Sequence, residues 1–216
     1  MLFRSHALNN FCSVDLSAVY LDILKDRLYT FRADSLLRRG SQTVLFEIVV
    51  VMTKLMAPVL SFTAEEIWRT LAAQSGGRLG VSSVHLSMFP EAHSQWQDVA
   101  LAQRWEQLLS YRTQVQGVLE GSRRDKTIGS SLEASVELRA DADTYQFLQP
   151  YQQDLTTFFI VSQVTLIVSG EGKVPLAIEA TKSSFEKCER CWNYREAVGK
   201  DPTHPTLCDR CVEAVQ

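Results

Sequence analysis

The chain carries Cys188-Glu189-Arg190-Cys191 and, after sixteen further residues, Cys208-Asp209-Arg210-Cys211. Two Cys-x-x-Cys pairs at this separation have the spacing of a four-thiolate zinc site. Each pair supplies two sulfurs from one tight turn, and four thiolates surround the metal tetrahedrally at about 2.3 Å. Because protein ligands then fill every coordination position, none stays open for water or substrate. The spacing therefore predicts one structural Zn²⁺ ion held by Cys188, Cys191, Cys208 and Cys211.

The alternative use of these four cysteines is as two disulfides, which form in secreted proteins. No apolar signal segment with a charged start precedes Cys12, so zinc in a reducing compartment is favoured and a cytoplasmic location is expected. Cys12 lies far from the cluster and is expected to be a small apolar residue. His204 could replace a thiolate, but four cysteines already complete the ligand set.

Length and charge limit the possible classes of protein. A chain of 216 residues holds one or two domains and a small metal module. Its most apolar run, Val44 to Leu60, is interrupted by Glu47 and Lys54 and is shorter than a bilayer span, so we expect a buried helix and no membrane segment. The net charge of −3 argues against a uniformly basic nucleic-acid binder, although local basic patches remain compatible with it.

The amino-terminal half has the periodicity of helices. Residues 11–29 place apolar side chains along one helical stripe: Leu16, Tyr20, Ile23, Leu24 and Leu28. Residues 30–40 are predicted to be a connection of basic character, and Ser41 or Thr43 is predicted to cap a helix from Val44 to Met56. That helix is apolar almost all round, which is typical of a helix surrounded by others.

Further elements follow from caps and from a change of period. Thr63-Ala64-Glu65-Glu66 is predicted to be a capping box that starts a third helix, residues 81–90 are predicted to be extended, and a fourth helix is predicted from Val99 to Gly121. Beyond it, period-two patterns predict strands at residues 136–139, 159–167 and 174–179, with a helix over 143–155. We therefore expect a mainly α helical bundle (1–97), then a long helix and small α+β unit (98–181) and a C-terminal four-cysteine zinc finger (182–216).

Several of these stretches together resemble a known family. They are Asp15-Leu16-Ser17-x-x-Tyr20-Leu21-Asp22-x-x-Lys25-Asp26-Arg27-Leu28-Tyr29, then Ala57-Pro58-x-Leu60-x-Phe62-Thr63-Ala64-Glu65-Glu66-Ile67-Trp68, then Lys126-x-Ile128-Gly129-Ser130-Ser131-Leu132-Glu133-Ala134. With Lys187-Cys188-x-x-Cys191-Trp192 and the final cysteine pair, this order resembles the C-terminal portion of the bacterial-type isoleucyl-tRNA synthetases, which are class I enzymes. The helical motifs alone are shared with the valine and leucine enzymes, and the zinc module narrows the resemblance.

The chain also departs from that family. The two ATP-binding signatures, His-Ile-Gly-His and Lys-Met-Ser-Lys-Ser, are absent, and no Rossmann-type or editing domain is recognisable. The segment Lys126-Thr127-Ile128-Gly129-Ser130 resembles the second signature only in composition. We therefore expect no catalytic residues and no activation of isoleucine by these 216 residues alone, and ATP would act only through a catalytic domain outside them.

The resemblance implies that the helical bundle of residues 1–97 is an anticodon-binding domain, which recognises the anticodon arm of an isoleucine-accepting tRNA. We also expect the protein to be a monomer. Arg27, Arg32, Arg38 and Arg39 could pair with phosphates, whereas Trp192 and Tyr194 could stack on splayed anticodon bases. Alternatives remain for each group. The cations near the cluster could instead neutralise four thiolates, and Trp192 could form the core of a small module.

Two other classes of protein remain open from the sequence. DNA-repair glycosylases can also end in a four-cysteine finger, but their chemistry uses a proline after the initiator Met, where this chain has Leu2. A non-enzymatic zinc-ribbon adaptor that binds protein is the other alternative. Binding to tRNA, to lesion-containing duplex DNA or to neither would separate the three.

Overall fold

The computed structural model describes residues 2–169 and 175–216, and side chains from residue 6 onward. It divides into two compact units, one made of Met1–Ser17 with Asp34–Asp98 and the other of Ala18–Ala33 with Val99–Gln216. The second unit contains both the small sheet and the cysteine cluster. The separation of the finger as a third domain stays a prediction.

The first unit is built from helices. It contains α1 (Leu2–Asn10), the first part of a π-helical stretch (Phe11–Leu21), α3 (Leu36–Met56), α4 (Ser61–Gln74) and two short 3₁₀ turns (Val84–Leu86 and Ser94–Trp96); α2 (Asp22–Thr30) belongs to the other unit. Its small core gathers Ala57, Ala64, Trp68 and Val84. The Trp68 indole is 1% exposed, and its Nε1–H donates to the Val81 carbonyl at 3.1 Å.

Three local predictions for this unit were wrong. α3 begins at Leu36 rather than after Ser41, and the Ser41 hydroxyl donates back to the Leu37 carbonyl inside the helix. α4 begins at Ser61 without a side-chain cap, so Thr63 lies within the helix and forms no capping box. The stretch 81–90 is not simply extended, because a 3₁₀ turn occupies Val84–Leu86.

Instead of a capping box, the Glu65 carboxylate links α4 to the turn at Ser83 and Val84. Glu65 accepts hydrogen bonds from the Ser83 hydroxyl at 2.7 Å and from the Val84 N–H at 3.1 Å. The bond from Ser83, with help from Val84 and Arg69, lowers the pKa of the Glu65 carboxyl. Glu65, and not the predicted Glu66, therefore makes the carboxylate hydrogen bonds near the start of α4.

The second unit contains a three-stranded sheet flanked by helices. Its elements are α2, α5 (Val99–Arg124), β1 (Ala134–Ala140), α6 (Ala142–Leu148), α7 (Leu155–Phe159), β2 (Gln163–Val168), β3 (Leu176–Lys182) and α8 (Asp209–Val215). The order is β2-β1-β3, with β1 parallel to β2 and antiparallel to β3. β1 and the helix α5 supply much of the core, including Val115, Leu119, Val136 and Leu138.

The predicted elements of this unit hold in part. The long helix is confirmed and runs three residues further, to Arg124. The predicted helix over 143–155 is interrupted, because Pro150 lies in a 3₁₀ turn between α6 and α7. The predicted strand over 159–167 begins late, since Phe159 ends α7 and Ile160 adopts a left-handed conformation with φ of 58°. Residue 174, where the third strand was predicted to begin, lies outside the described residues.

A buried arginine joins three elements of the second unit. Arg112 on α5 is 3% exposed and donates to the Phe158 carbonyl at 2.6 Å and to the Asp22 carboxylate at 2.9 Å. Burial raises the pKa of Asp22, but hydrogen bonds from Lys25 and Arg112 outweigh that effect and lower the pKa overall. Since α5 is otherwise amphipathic, its periodicity gave no sign that a cation lies on the buried face.

Across the described residues, no helix combines the length and the apolar character needed to cross a bilayer.

Candidate zinc centre and nucleic-acid interface

The first cysteine pair lies in a tight hairpin. Lys187 and Tyr194 form an antiparallel bridge, and the Cys188 N–H donates to the Asn193 carbonyl at 2.9 Å. The Trp192 N–H closes the turn by donating to the Cys188 carbonyl at 2.9 Å. This geometry directs the Cys188 and Cys191 thiols into the same interior.

The second pair lies at the start of α8. Cys208 is the N-cap of that helix, and its carbonyl accepts from the N–H groups of Cys211 and Val212, both at 2.9 Å. The Cys208 N–H in turn donates to the Cys188 sulfur at 3.3 Å, which ties the two pairs together. One turn of helix thus brings Cys208 and Cys211 to the same side.

The four sulfurs fit a tetrahedral metal site. All four cysteines are buried, and their sulfur atoms lie within 4.8 Å of one another. The Cys191 and Cys208 sulfurs are 3.7 Å apart, close to the edge of about 3.8 Å that follows from a tetrahedron with 2.3 Å bonds. A disulfide would require about 2.05 Å, and the cysteines are all free thiols. The predicted structural zinc site is confirmed as a buried four-cysteine cluster, and the disulfide alternative is wrong.

The cysteines of the cluster shift one another's pKa values. Hydrogen bonding with Cys208 and Cys211 lowers the pKa of the Cys191 thiol, whereas the contact with Cys191 raises the pKa of Cys208 and of Cys211. Zinc would hold all four as thiolates, which leaves the site with a net charge of about −2 and makes metal binding release protons.

Two arginines of the finger balance that charge and fasten the finger to α2. Arg190 donates to the Cys211 sulfur at 3.5 Å and to the Thr30 carbonyl. Arg210 binds both carboxylate oxygens of Asp26, one of them at 2.8 Å, and its guanidinium lies 4.7 Å from the centre of the Phe31 ring. These side chains therefore have structural partners. Sequence spacing could not reveal this docking, because about 160 residues or more separate the partners in the chain.

Trp192 is exposed beside the metal site. It is 61% exposed, so the interpretation of this residue as the core of the finger is wrong. Its φ of 64° is left-handed, a conformation that costs an L-residue about 1–2 kcal/mol. The Lys187 ammonium lies 5.4 Å from the centre of the indole ring. An aromatic ring and a cation thus lie together at the surface, on the turn that contains Cys188 and Cys191.

Tyr194 is less accessible. Its N–H donates to the Ser162 hydroxyl at 2.6 Å, which joins the finger to the end of the segment before β2, and its side chain is half-buried. Trp192 and Tyr194 thus belong to one hairpin, with Trp192 the more exposed of the two.

The four candidate arginines are divided between the two units. In the second unit, Arg27 is 22% exposed at its side chain and pairs with Asp154 at 2.9 Å, while Arg32 is exposed. In the first unit, Arg38 is half-buried and Arg39 is exposed on α3. Arg32 and Arg38 each take part in an interaction within the protein.

The basic turn after α5 is organised by the protein itself. Arg123 donates to the Ser131 hydroxyl at 2.6 Å, and Glu133 accepts from the Gly129 N–H at 2.6 Å while pairing with Lys182 at 2.8 Å. The Gly129 amide therefore already has a hydrogen-bond partner within the protein.

Two family models together match most of the chain. Residues 5–138 match the family described as the anticodon-binding domain of tRNA ligase, and residues 185–214 match the zinc finger found in FPG and IleRS. The second match coincides with the cysteine cluster described above.

The chain is also similar to curated proteins over nearly its whole length. The chain is 45% identical to an isoleucine–tRNA ligase of Geobacter sulfurreducens, over 98% of this chain and 23% of that protein. It is 44% identical to the corresponding enzyme of Moorella thermoacetica over 98% of the chain and 23% of the relative, and 45% identical to that of Syntrophotalea carbinolica over 96% and 22%. The chain thus spans less than a quarter of the length of these relatives and corresponds to their C-terminal part.

Proposed function

We propose, from the premise that this chain belongs to the anticodon-binding domain family of tRNA ligases, that it binds the anticodon arm of an isoleucine-accepting tRNA. One observation carries the proposal: a match to the anticodon-binding domain and a match to the zinc finger found in FPG and IleRS follow each other in one chain. The same chain is 43–45% identical to isoleucine–tRNA ligases over nearly its whole length. ATP-dependent attachment of isoleucine would then take place in a catalytic domain outside these residues.

The exposed hairpin supplies the contact that we assign to unpaired bases. Base stacking on an aromatic ring is worth about 1–3 kcal/mol per base, and a nearby cation adds attraction for the phosphate. Trp192 offers an accessible ring and Lys187 an accessible charge within the same turn. Tyr194, being half-buried, would contribute with its ring edge. Zinc would act indirectly, by holding this turn in place.

Phosphate contacts are assigned to Arg32, Arg38 and Arg39. Arg27 is a weaker candidate, because it is paired with Asp154 and its side chain is only 22% exposed. We expect Arg27→Ala to act through protein stability, whereas Arg39→Ala should act through RNA binding. A cytoplasmic monomer is the state in which we expect the protein to work.

Salt titration of tRNA binding tests this assignment. The logarithm of affinity falls with the logarithm of salt concentration by about 0.7 for each phosphate contacted in single-stranded RNA. Each of Arg32→Ala, Arg38→Ala and Arg39→Ala should therefore reduce the magnitude of the slope by somewhat less than one. If the triple variant bound tRNA as well as the parent at every salt concentration, the assignment of these arginines would be abandoned.

The glycosylase alternative rests on the finger, whose family description also includes FPG. It does not account for the anticodon-binding match over residues 5–138. Parallel titrations with tRNA and with duplex DNA containing an abasic site separate the two functions. The proposal requires tRNA to bind more tightly; preference for the damaged duplex would replace it.

A further inference from the structure

Helix α3 has more apolar surface than its own unit covers. From Val44 to Met56 it is apolar almost all round, a pattern that requires neighbours on every side. α4 and the 3₁₀ turn Val84–Leu86 pack against it, and the buried side chains of α3 are Ser41 and Thr53. The valines and leucines between them stay partly exposed. The sequence of α3 thus requires a packing partner that the described side chains of the unit, from residue 6 onward, do not provide.

The uncovered face forms a groove, here called the α1–α3 groove. It has a volume of about 1,290 Å³ and is lined by apolar side chains that include Phe11, Cys12, Val51, Met52, Leu55 and Leu60. Among the lining residues that the structure describes, Asn9 carries the one polar amide. Small-molecule sites usually measure 300–1,000 Å³ and place several polar groups around the ligand. The groove is larger and lacks such groups.

Its size fits a helix. A helix with a diameter of 10–12 Å and a rise of 1.5 Å fills roughly 120–170 Å³ per residue. The groove volume therefore corresponds to about eight to eleven residues, or two to three turns. An amphipathic helix embedded on one side would extend over more turns and keep its polar face in water.

We propose that the α1–α3 groove binds an amphipathic helix of the isoleucine–tRNA ligase polypeptide from the region outside the part that this chain matches. The proposal rests on the function proposed above. The relatives supply the argument for this occupant: more than three quarters of their length lies outside the match, on the amino-terminal side. α1, at the amino-terminal end of the matched part, forms one wall of the groove through Ala7 and Leu8. A segment that precedes the matched part in the relatives would therefore join the chain at α1, the helix that forms this wall.

The binding probe is a fragment of the Geobacter sulfurreducens enzyme that ends before the matched region, with its isoleucine-dependent pyrophosphate exchange as proof of folding. Overlapping peptides of about 25 residues from the same region, long enough for several helical turns, serve as a second probe that does not depend on that fold. We expect the fragment and one amphipathic peptide to bind the whole 216-residue chain and to slow alkylation of Cys12, which lines the groove.

Two aspartate variants on α3 provide the matched comparison. Leu55 lines the groove and is 36% exposed, whereas Val44 is 46% exposed and is not among the lining residues, so both tolerate a polar replacement. Leu55→Asp should weaken binding of the fragment and the peptide at least about tenfold, the loss typical of an important interface side chain. Val44→Asp should leave binding unchanged.

Equal binding by the parent and Leu55→Asp, or an unchanged rate of Cys12 alkylation at saturation, would overturn the proposal. So would a concentration-dependent dimer that Leu55→Asp abolishes while neither probe binds, because the occupant would then be a second copy. Titration of the same preparations with tRNA separates failure of the groove proposal from failure of the proposed function. If the chain binds the probes through the groove but does not bind tRNA, the groove proposal stands and the anticodon role is abandoned.

Discussion

Replacing Trp192 with glycine should separate binding of RNA from stability of the finger. Glycine relieves the left-handed backbone strain, worth about 1–2 kcal/mol, and removes a cation–π contact with Lys187 worth about 0.5–1 kcal/mol at an exposed site. These effects have opposite signs and similar size, so the free energy of unfolding should change little. Trp192→Ala keeps the positive φ and should leave the finger about 1 kcal/mol less stable than Trp192→Gly.

Both variants should bind tRNA equally poorly. Losing one stacked base costs about 1–3 kcal/mol, which corresponds to roughly a 5- to 150-fold loss of affinity, with the salt slope nearly intact. Fluorescence anisotropy with labelled tRNA gives the affinity, and zinc content is measured in each preparation. Trp96, 63% exposed in the first unit, offers a matched control, and Trp96→Ala should bind as the parent does.

Two results would refute this reasoning. If Trp192→Gly lost zinc or unfolded the finger, the indole would be needed for the core despite its exposure. If Trp192→Gly held zinc and bound tRNA with full affinity, the ring would not be a stacking platform, and its strained position would have no functional explanation.

Three further predictions concern the metal and the buried arginine. Cys208→Ser should abolish zinc binding and unfold mainly residues 182–216, since Cys208 is both ligand and N-cap; loss of all helical circular dichroism would contradict this. Arg112→Met should lower the free energy of unfolding by about 3 kcal/mol in urea titration, and the exposed Arg104→Met by under about 0.5 kcal/mol. Because the pKa of Asp22 is lowered, its ionised carboxylate stabilises the folded state above the ordinary pKa of 3.8, and this stabilisation is lost as the pH falls below that value. Arg112→Met should weaken this pH dependence of the free energy of unfolding. Acid unfolding curves of the parent and the variant measure it.

The zinc site could be predicted because ligand chemistry fixes both the residue type and the spacing, and no distant residue is needed to complete it. The long helix α5 could be predicted for a similar reason, since its apolar period is regular and its length exceeds that of any competing element. Both features depend on neighbours in sequence. Their local signals were therefore sufficient.

Features that depend on tertiary contacts could not be predicted. Thr63 and Glu66 have the spacing of a capping box, but the N-cap of α4 is Leu60, three residues before Thr63, and Glu65 binds the Ser83 hydroxyl instead. The docking of Arg210 on Asp26 joins residues 184 apart in sequence. Trp192 was ambiguous because an aromatic residue in a small module can be core or surface, and only the geometry of its turn decides.

The most direct test of the anticodon role is competition between two halves of the same RNA. The chain with zinc bound is saturated with labelled isoleucine tRNA, and then challenged with an unlabelled anticodon stem-loop or an unlabelled acceptor minihelix of matched length and charge. The account predicts that the anticodon stem-loop displaces the tRNA and that the minihelix does so at least about tenfold less effectively. Equal displacement by both halves, or better displacement by the minihelix, would contradict it.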